Sequence, residues 1–539
     1  MSKHFIFEIG FNSCDKIPNM SEKLILTIDF GTQSVRVGLF DKKGNVIDIV
    51  KKSYEPPYFS QKPGYAEQDP NYYYKKLCEA TNEIASKNKD KLTDIIGINM
   101  CCFRDSVVPL DKDNKPLRPV ILWLDERRAK GLKKMSLLSR AIFKLVGMGP
   151  TVELNLKRSM SRWIQENEPE IWERTDKFMM LSTYITLLLT GRYADSPCSQ
   201  AGHLPIDFKK GVWYKRADKH IKGQIFGVDN KKLCELVPVG GVIGTITDQA
   251  AKDTGLPARL IMFSGGSDKS AETLGLGVID DRSASVSYGT ACTVEVPIKK
   301  YKSAEPFLPA YPAIVPGYYN LDVQVYRGYW MLNWFAREFA GNPADVEKHV
   351  QSQVKLEDLN EEMLKIEPGC NGLVLQPYWG PGLRRPLAKG AIIGFSETHS
   401  KIHFYRAIIE GIAYCLREGL ELFEKRRLHH KIERIRISGG GSNSPAICQI
   451  TADIFGLPVS KVQTGECSSL GVAISGFLAA GEFASVEEAV ESMVHQSAEF
   501  LPNKENHEKY DYLFRHAYMK MYPHLKDIYK DIKKFADKN

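Results

Sequence analysis

The segment "LTIDFGTQSVRVGLF", residues 26–40, alternates apolar with small or polar residues on both sides of a compact FGTQS turn. Period-two alternation broken by a Gly-containing turn is the signature of a β-hairpin. A second copy of the pattern stands at residues 284–298, "ASVSYGTACTVEVPI", where an apolar strand again meets an aromatic-Gly-Thr turn. Two hairpins of one design predict two copies of one fold. Helix-like stretches such as "PNYYYKKLCEATNEIASKN" and strand-like ones such as "DIIGINMCC" follow the first hairpin, so α/β layers around mixed sheets are expected. The first copy is expected over 24–280 and the second over 283–502, with an extension at 1–23 and a helical tail at 503–539. Two similar domains facing one another make a cleft, a common place for a ligand.

Composition fits that outline. With 539 residues, 43% of them apolar, the chain is too long for one ordinary core. The formal charge of +8 comes from 73 basic and 65 acidic residues that are scattered, which argues against a nucleic-acid partner. Eleven cysteines without a CxxC pair argue against a disulfide framework or a structural zinc site and suit a reducing compartment. The longest apolar run, "FMMLSTYITLLLTG" at 178–191, is short and broken by Ser and Thr, so no membrane partner and a cytoplasmic location are expected. Oligomeric state is not legible, and a homodimer is compatible with the sequence. The first twenty residues lack the pattern of a cleaved leader and precede a second methionine, Met20. They are expected to be dispensable.

The first turn carries chemistry that a plain hairpin does not need. Gly31 lets backbone approach a ligand closely, and the amides after it, with the hydroxyls of Thr32 and Ser34, can donate to phosphate oxygens. Asp29 would repel bare phosphate but can hold Mg²⁺ directly or through water. Together they read as a metal-phosphate site, with an ordinary polar turn as the alternative. The matching Tyr288-Gly289-Thr290 turn would grip a polyphosphate from the other side. A third element, "IERIRISGGGSNSPAICQITADIFGLPV", has a short strand, three glycines at 439–441 and a helix started near Ser444 and Pro445. Those glycines let a flat base or ribose lie against backbone, and Asn443 offers a donor and an acceptor. Downstream, "GECSSLGVAISGFLAAGEF" reads as a small-residue helix packed behind this loop.

Six motifs in order, DFGTQS, "GYAEQDP", "PLDKDNKPLRPVILWLDERR", "GGSDKSAETLGLG", "SYGTACT" and "ISGGGSNSPAICQITADIFGLPV", resemble the FGGY carbohydrate kinases of the actin-like ATPase superfamily over nearly the whole of residues 24–502. The resemblance implies two ribonuclease-H-like domains with ATP and a sugar or polyol in the cleft between them. It implies that Asp29 organises Mg²⁺, that Thr32 and Gln33 approach the phosphates, and that Gly289 and Thr290 contact them from the other domain. Gly440, Gly441 and Asn443 would line the adenosine pocket. Asp268, in "GGSDKSAE", would be the general base for the sugar hydroxyl, although an Asp there can also cap the helix that follows.

The sugar end is less defined. Arg104 and Asp105 in "CCFRDSVVPLD" lie where glycerol kinases resemble this chain with an Arg-Glu pair on polyol hydroxyls; a surface ion pair is the plain alternative. "GYAEQDP" is closer to xylulose kinases. Lys269 stands beside the expected base, either supporting its ionised form, binding an anionic substrate group, or pointing to solvent, the last being favoured. Trp330 and Trp334 resemble the family's helix near the sugar, but aromatics at i and i+4 also pack in cores. Phosphoryl transfer from Mg-ATP to a small ketose or polyol is therefore expected. An actin-like or chaperone-like ATPase should lack GYAEQDP and RDSVVPLD, and a non-catalytic sugar-sensing regulator should have lost the base.

Overall fold

A computed structural model of the chain describes residues 22–130, 135–303, 309–340, 355–380, 385 and 387–536. Residues 1–21, most of the expected extension, lie outside the described residues.

Both quoted segments are hairpins. Leu24–Phe30 pairs antiparallel with Ser34–Phe40 and parallel with Ile95–Cys102. Ser283–Tyr288 pairs antiparallel with Cys292–Ile298 and parallel with Arg434–Ser438. The repeat seen in the letters is thus a repeat of topology. Each hairpin is extended by a third antiparallel strand, Val46–Ser53 in the first half and Tyr319–Val325 in the second, and each half is built on a seven-stranded sheet.

Both faces of the first sheet are covered, which explains why every residue of Leu24–Phe30 is buried. Alternation sends Leu24, Leu26, Ile28 and Phe30 to one core, against Tyr73, Leu77, Ala80 and Ile84 of the helix Pro70–Lys87. Asp69 starts that helix: its carboxylate accepts from the backbone N–H of Asn71 at 2.9 Å, and Pro70 fills a position that has no hydrogen bond to lose. Ile25 and Phe40 belong to the opposite core, with Leu470, Ala473, Ile474 and Phe477. These last four lie on the helix Cys467–Ala479, which belongs by sequence to the second half.

That helix corrects one expectation. Its small residues serve a crossing with the helix Asp268–Gly275 in the first half, rather than packing behind the glycine loop. A Cβ added to Gly471 would lie 1.8 Å from the Ala271 carbonyl oxygen, and one added to Gly275 would lie 1.8 Å from that of Cys467. Backbone touches backbone there, which only glycine permits.

The second half has a large core around the helix Lys401–Phe423. Helices Lys504–Leu513 and Met519–Ala536, in the expected tail, and the π-helical turn Phe514–Tyr518 between them bring Tyr510, Phe514, Tyr518, Met521 and Tyr529 into that same core. The apolar run at 178–191 divides into a strand, Lys177–Met180, and a buried helix, Leu181–Thr190, ended by Gly191 at φ 70°. Among the described residues no helix is long and apolar enough to cross a membrane.

Candidate active site

The two hairpin turns face a cavity of about 1020 Å³ lined by both halves of the chain. Asp29, Gly31, Thr32, Gln33, Ser34, Arg104, Asp105, Asp268, Gly289, Thr290 and Gly440 all line it. Residues from five separate segments are brought together.

In the first turn the Gly31 N–H donates to the Ser34 carbonyl at 3.0 Å, and the Trp123 indole N–H donates to the Thr32 hydroxyl at 3.0 Å. Asp29 is 6% exposed, with the Cys101 thiol donating to its Oδ1 at 3.3 Å and the Arg36 guanidinium 3.6 Å from its Oδ2. Burial pushes this carboxyl up to about 6, against the pull of Arg36 and Cys101. Among the described residues no group of three or more His, Cys, Asp or Glu gathers to hold a metal. A buried carboxylate beside a donor-rich turn fits Mg²⁺, which keeps waters and takes few protein ligands.

The glycine loop holds fewer of the expected contacts. Gly439, at φ 81°, is forced by proximity, since a Cβ there would lie 2.6 Å from the Tyr288 carbonyl carbon. Gly440 lines the cavity with open space around it, while Gly441 is packed against Tyr288 and Tyr329 and Asn443 is exposed; neither of the latter two is among the cavity-lining residues. Packing against Tyr288 and Tyr329 by itself requires a glycine at 441.

Asp268 opens the helix Asp268–Gly275 but does not cap it. Ser267 is the cap, its hydroxyl accepting from the Ser270 N–H at 3.4 Å, and the Asp268 carboxylate is left facing the cavity with one bond from the Lys269 N–H at 2.8 Å. Burial raises the Asp268 carboxyl above the ordinary aspartate value, opposed by the charges of Lys269 and then Arg104.

Lys269 corrects the favoured solvent-facing expectation. Its ammonium donates to Glu272 Oε2 at 2.7 Å and to Ser287 Oγ at 2.9 Å. Glu272 Oε1 in turn accepts from Ser287 at 2.8 Å and from Ser438 at 2.6 Å. The helix that carries Asp268 is therefore bolted to the strands that end in both loops of the second half. Sequence reasoning missed Glu272 because two of its partners, Ser287 and Ser438, lie 15 and 166 residues away.

Arg104 and Asp105 do not pair with each other, and neither forms a surface ion pair. Arg104 reaches across the cavity to Asp322, Nη2 to Oδ2 at 2.9 Å, with side chains 14% and 5% exposed, and lies over the Tyr311 ring at 5.1 Å. Asp105, at φ 57°, turns the other way to accept from the His203 backbone N–H at 2.9 Å and meet its Nδ1 at 2.5 Å. Trp330 and Trp334 are absent from the cavity lining; both pack against the second core, Trp334 edge-on to Trp379 with ring centroids 5.5 Å apart.

Comparison with known proteins bears directly on this arrangement. The model of the FGGY family of carbohydrate kinases matches residues 24–275 with its N-terminal domain and residues 284–480 with its C-terminal domain. The chain belongs to the FGGY family of carbohydrate kinases. It is 29% identical over 520 residues to the xylulose kinase of Lactococcus lactis and 30% identical over 528 residues to that of Staphylococcus epidermidis, in each case covering 95% of this chain and 99% of the relative. The gluconokinase of Bacillus licheniformis is 26% identical over 494 residues, covering 90% of this chain and 93% of the relative. The fold is that of the gluconate kinase of Lactobacillus acidophilus, with a TM-score of 0.79 at 22% identity, and of a ligand-bound xylulose kinase from the same organism, at 0.78 and 23%. Each match covers 95% of this chain and 100% of the other. This FGGY kinase is an enzyme that transfers phosphate from ATP to a sugar hydroxyl, rather than an actin-like ATPase or a silent regulator.

Proposed function

We propose that this FGGY kinase phosphorylates a small ketose or polyol, with Asp268 as the general base. The observation that carries the reading is the position of Asp268: uncommitted to its helix cap, it lies in one cavity with the Arg104–Asp322 pair and with both phosphate turns. The xylulose kinases among the relatives support a ketose.

In this scheme the sugar hydroxyl gives its proton to Asp268 as its oxygen bonds to the terminal phosphorus and the bond to the ADP oxygen breaks. Such a transfer asks the protein for alignment and charge more than for covalent chemistry. Gly31, Thr32, Gln33 and Ser34 on one side, with Gly289 and Thr290 on the other, supply donors to the phosphate chain, and Gly440 gives the nucleoside a backbone surface. Asp29 would hold Mg²⁺, which when bound neutralises charge on the phosphates. Lys269 has three donors, and Glu272 and Ser287 take two. The third is left for the transferring phosphoryl group, beside the Gly289 turn.

Arg104 binds sugar hydroxyls in this reading. The test is turnover with Mg-ATP on a panel of pentuloses, hexuloses, tetritols, glycerol and gluconate, following phosphorylated product. Turnover confined to gluconate would overturn the ketose or polyol assignment.

A further inference from the structure

Asp322 is the least explained charge in the cavity. It sits on the strand Tyr319–Val325, its side chain is 5% exposed, and its Oδ2 is committed to Arg104. Its other oxygen, Oδ1, is buried and has no hydrogen-bond partner. A buried carboxylate oxygen without a donor costs folding free energy unless something else supplies one. No described neighbour is hydrogen-bonded to it. Glu295, the ladder partner of Asp322 on the adjacent strand, accepts from Thr273 and Asn320 at 2.8 Å each, both on its Oε2, and the Tyr311 ring lies under Arg104.

We infer that Asp322 is a specificity residue for the sugar, its Oδ1 accepting a hydrogen bond from a substrate hydroxyl held beside Asp268. The inference rests on the proposed placement of the sugar at Arg104 and Asp268. Arg104, Asp322 and Asp268 all line the same cavity, and the charge of Arg104 acts on both carboxylates. Because Asp322 already neutralises Arg104, a substrate carboxylate brought to this end would meet an acceptor with no proton to share. A hydroxyl meets one that lacks only a donor. The sugar would then touch the first half through Arg104 and the second through Asp322, bridging the cleft.

Steady-state kinetics of the unaltered protein, Asp322→Asn and Asp322→Ala with xylulose and its monodeoxy analogues test this, with gluconate and its monodeoxy analogues as a parallel series. For the unaltered protein, removal of one particular hydroxyl should lower kcat/KM by about 10- to 100-fold. In Asp322→Asn the intact sugar should suffer a similar loss, mostly in KM, while that one deoxy analogue suffers little further, and the KM for ATP should stay within about twofold. A uniform loss for every analogue would overturn the inference and leave Asp322 as an anchor for Arg104 alone. Should the variants not fold, a crystal structure of the unaltered protein with xylulose or gluconate decides: no hydroxyl within hydrogen-bond distance of Oδ1 overturns it equally. Turnover of gluconate but not xylulose would fell the ketose assignment while the deoxygluconate series still tested Asp322.

Discussion

The Lys269 ammonium lies 2.9 Å from the Ser287 hydroxyl, so a cation carried by the first half stands beneath the Tyr288-Gly289-Thr290 turn of the second. Its pairing with Glu272 keeps it charged despite burial. Lys269→Met should lower kcat by about 10² while changing the sugar's KM little, because the charge is needed most when phosphate oxygens gather charge in transit. The acid limb of kcat/KM should also move to higher pH. Burial raises the Asp268 carboxyl and Lys269 is the strongest opposing charge, so its loss leaves the base harder to ionise. An unchanged pH profile would return Lys269 to a purely structural tie.

Asp268→Asn should fold normally and bind both substrates, since Ser267 caps the helix and asparagine keeps the shape. Phosphorylation should fall by about 10² or more. Ser267→Ala gives the opposite pattern: about 1 kcal/mol less stability by urea denaturation, with the base still present. Near-normal turnover by Asp268→Asn would remove the base assignment.

Glu295 ties pH to stability. Burial, aided by the charge of Asp322, pushes its carboxyl up to about 7. A carboxyl raised on folding contributes stability below its unfolded value near 4.5 and loses that contribution as pH rises through about 7. Glu295→Gln cannot ionise and still offers an oxygen to Thr273 and Asn320. Relative to the unaltered protein it should therefore gain on the order of 1–3 kcal/mol between pH 5 and pH 8 in urea unfolding. A pH-independent difference would show that Glu295 titrates normally.

Gly471→Ala places a methyl group 1.8 Å from a backbone oxygen, where no rotamer change gives relief. A loss of about 3 kcal/mol or more is expected from thermal or urea unfolding, against about 0.5 kcal/mol or less for Gly465→Ala, whose surroundings are open. Equal stability of the two variants would refute the backbone-to-backbone crossing.

What was legible in the sequence was what is local. The two hairpins announce themselves by alternation and a Gly-Thr turn, and Asp268 by the GGSD run at a helix start. Asp322 was not legible, because Arg104 meets it across 218 residues through the register of a strand that carries no motif. The direction of Lys269 was hidden for a related reason. Lys269 turns inward because Glu272, three residues further along the same helix, is itself held inward by Ser287 and Ser438 of the second half. At Gly441 the letters do not show the packing against Tyr288 and Tyr329 that the structure gives that glycine.

The helix Cys467–Ala479 makes symmetry and autonomy part company. Were the chain severed between residues 280 and 283, the first fragment would lose the helix that covers Ile25 and Phe40, and the second would expose the face of Leu470, Ile474 and Phe477 that packs on them. Neither fragment would be a finished fold, although each holds a full copy of the repeated hairpin design. Produced together, the fragments should reassociate through that helix and the Arg104–Asp322 and Lys269–Ser287 contacts, so this kinase is suited to being divided as a split reporter whose signal depends on Gly275 meeting Gly471.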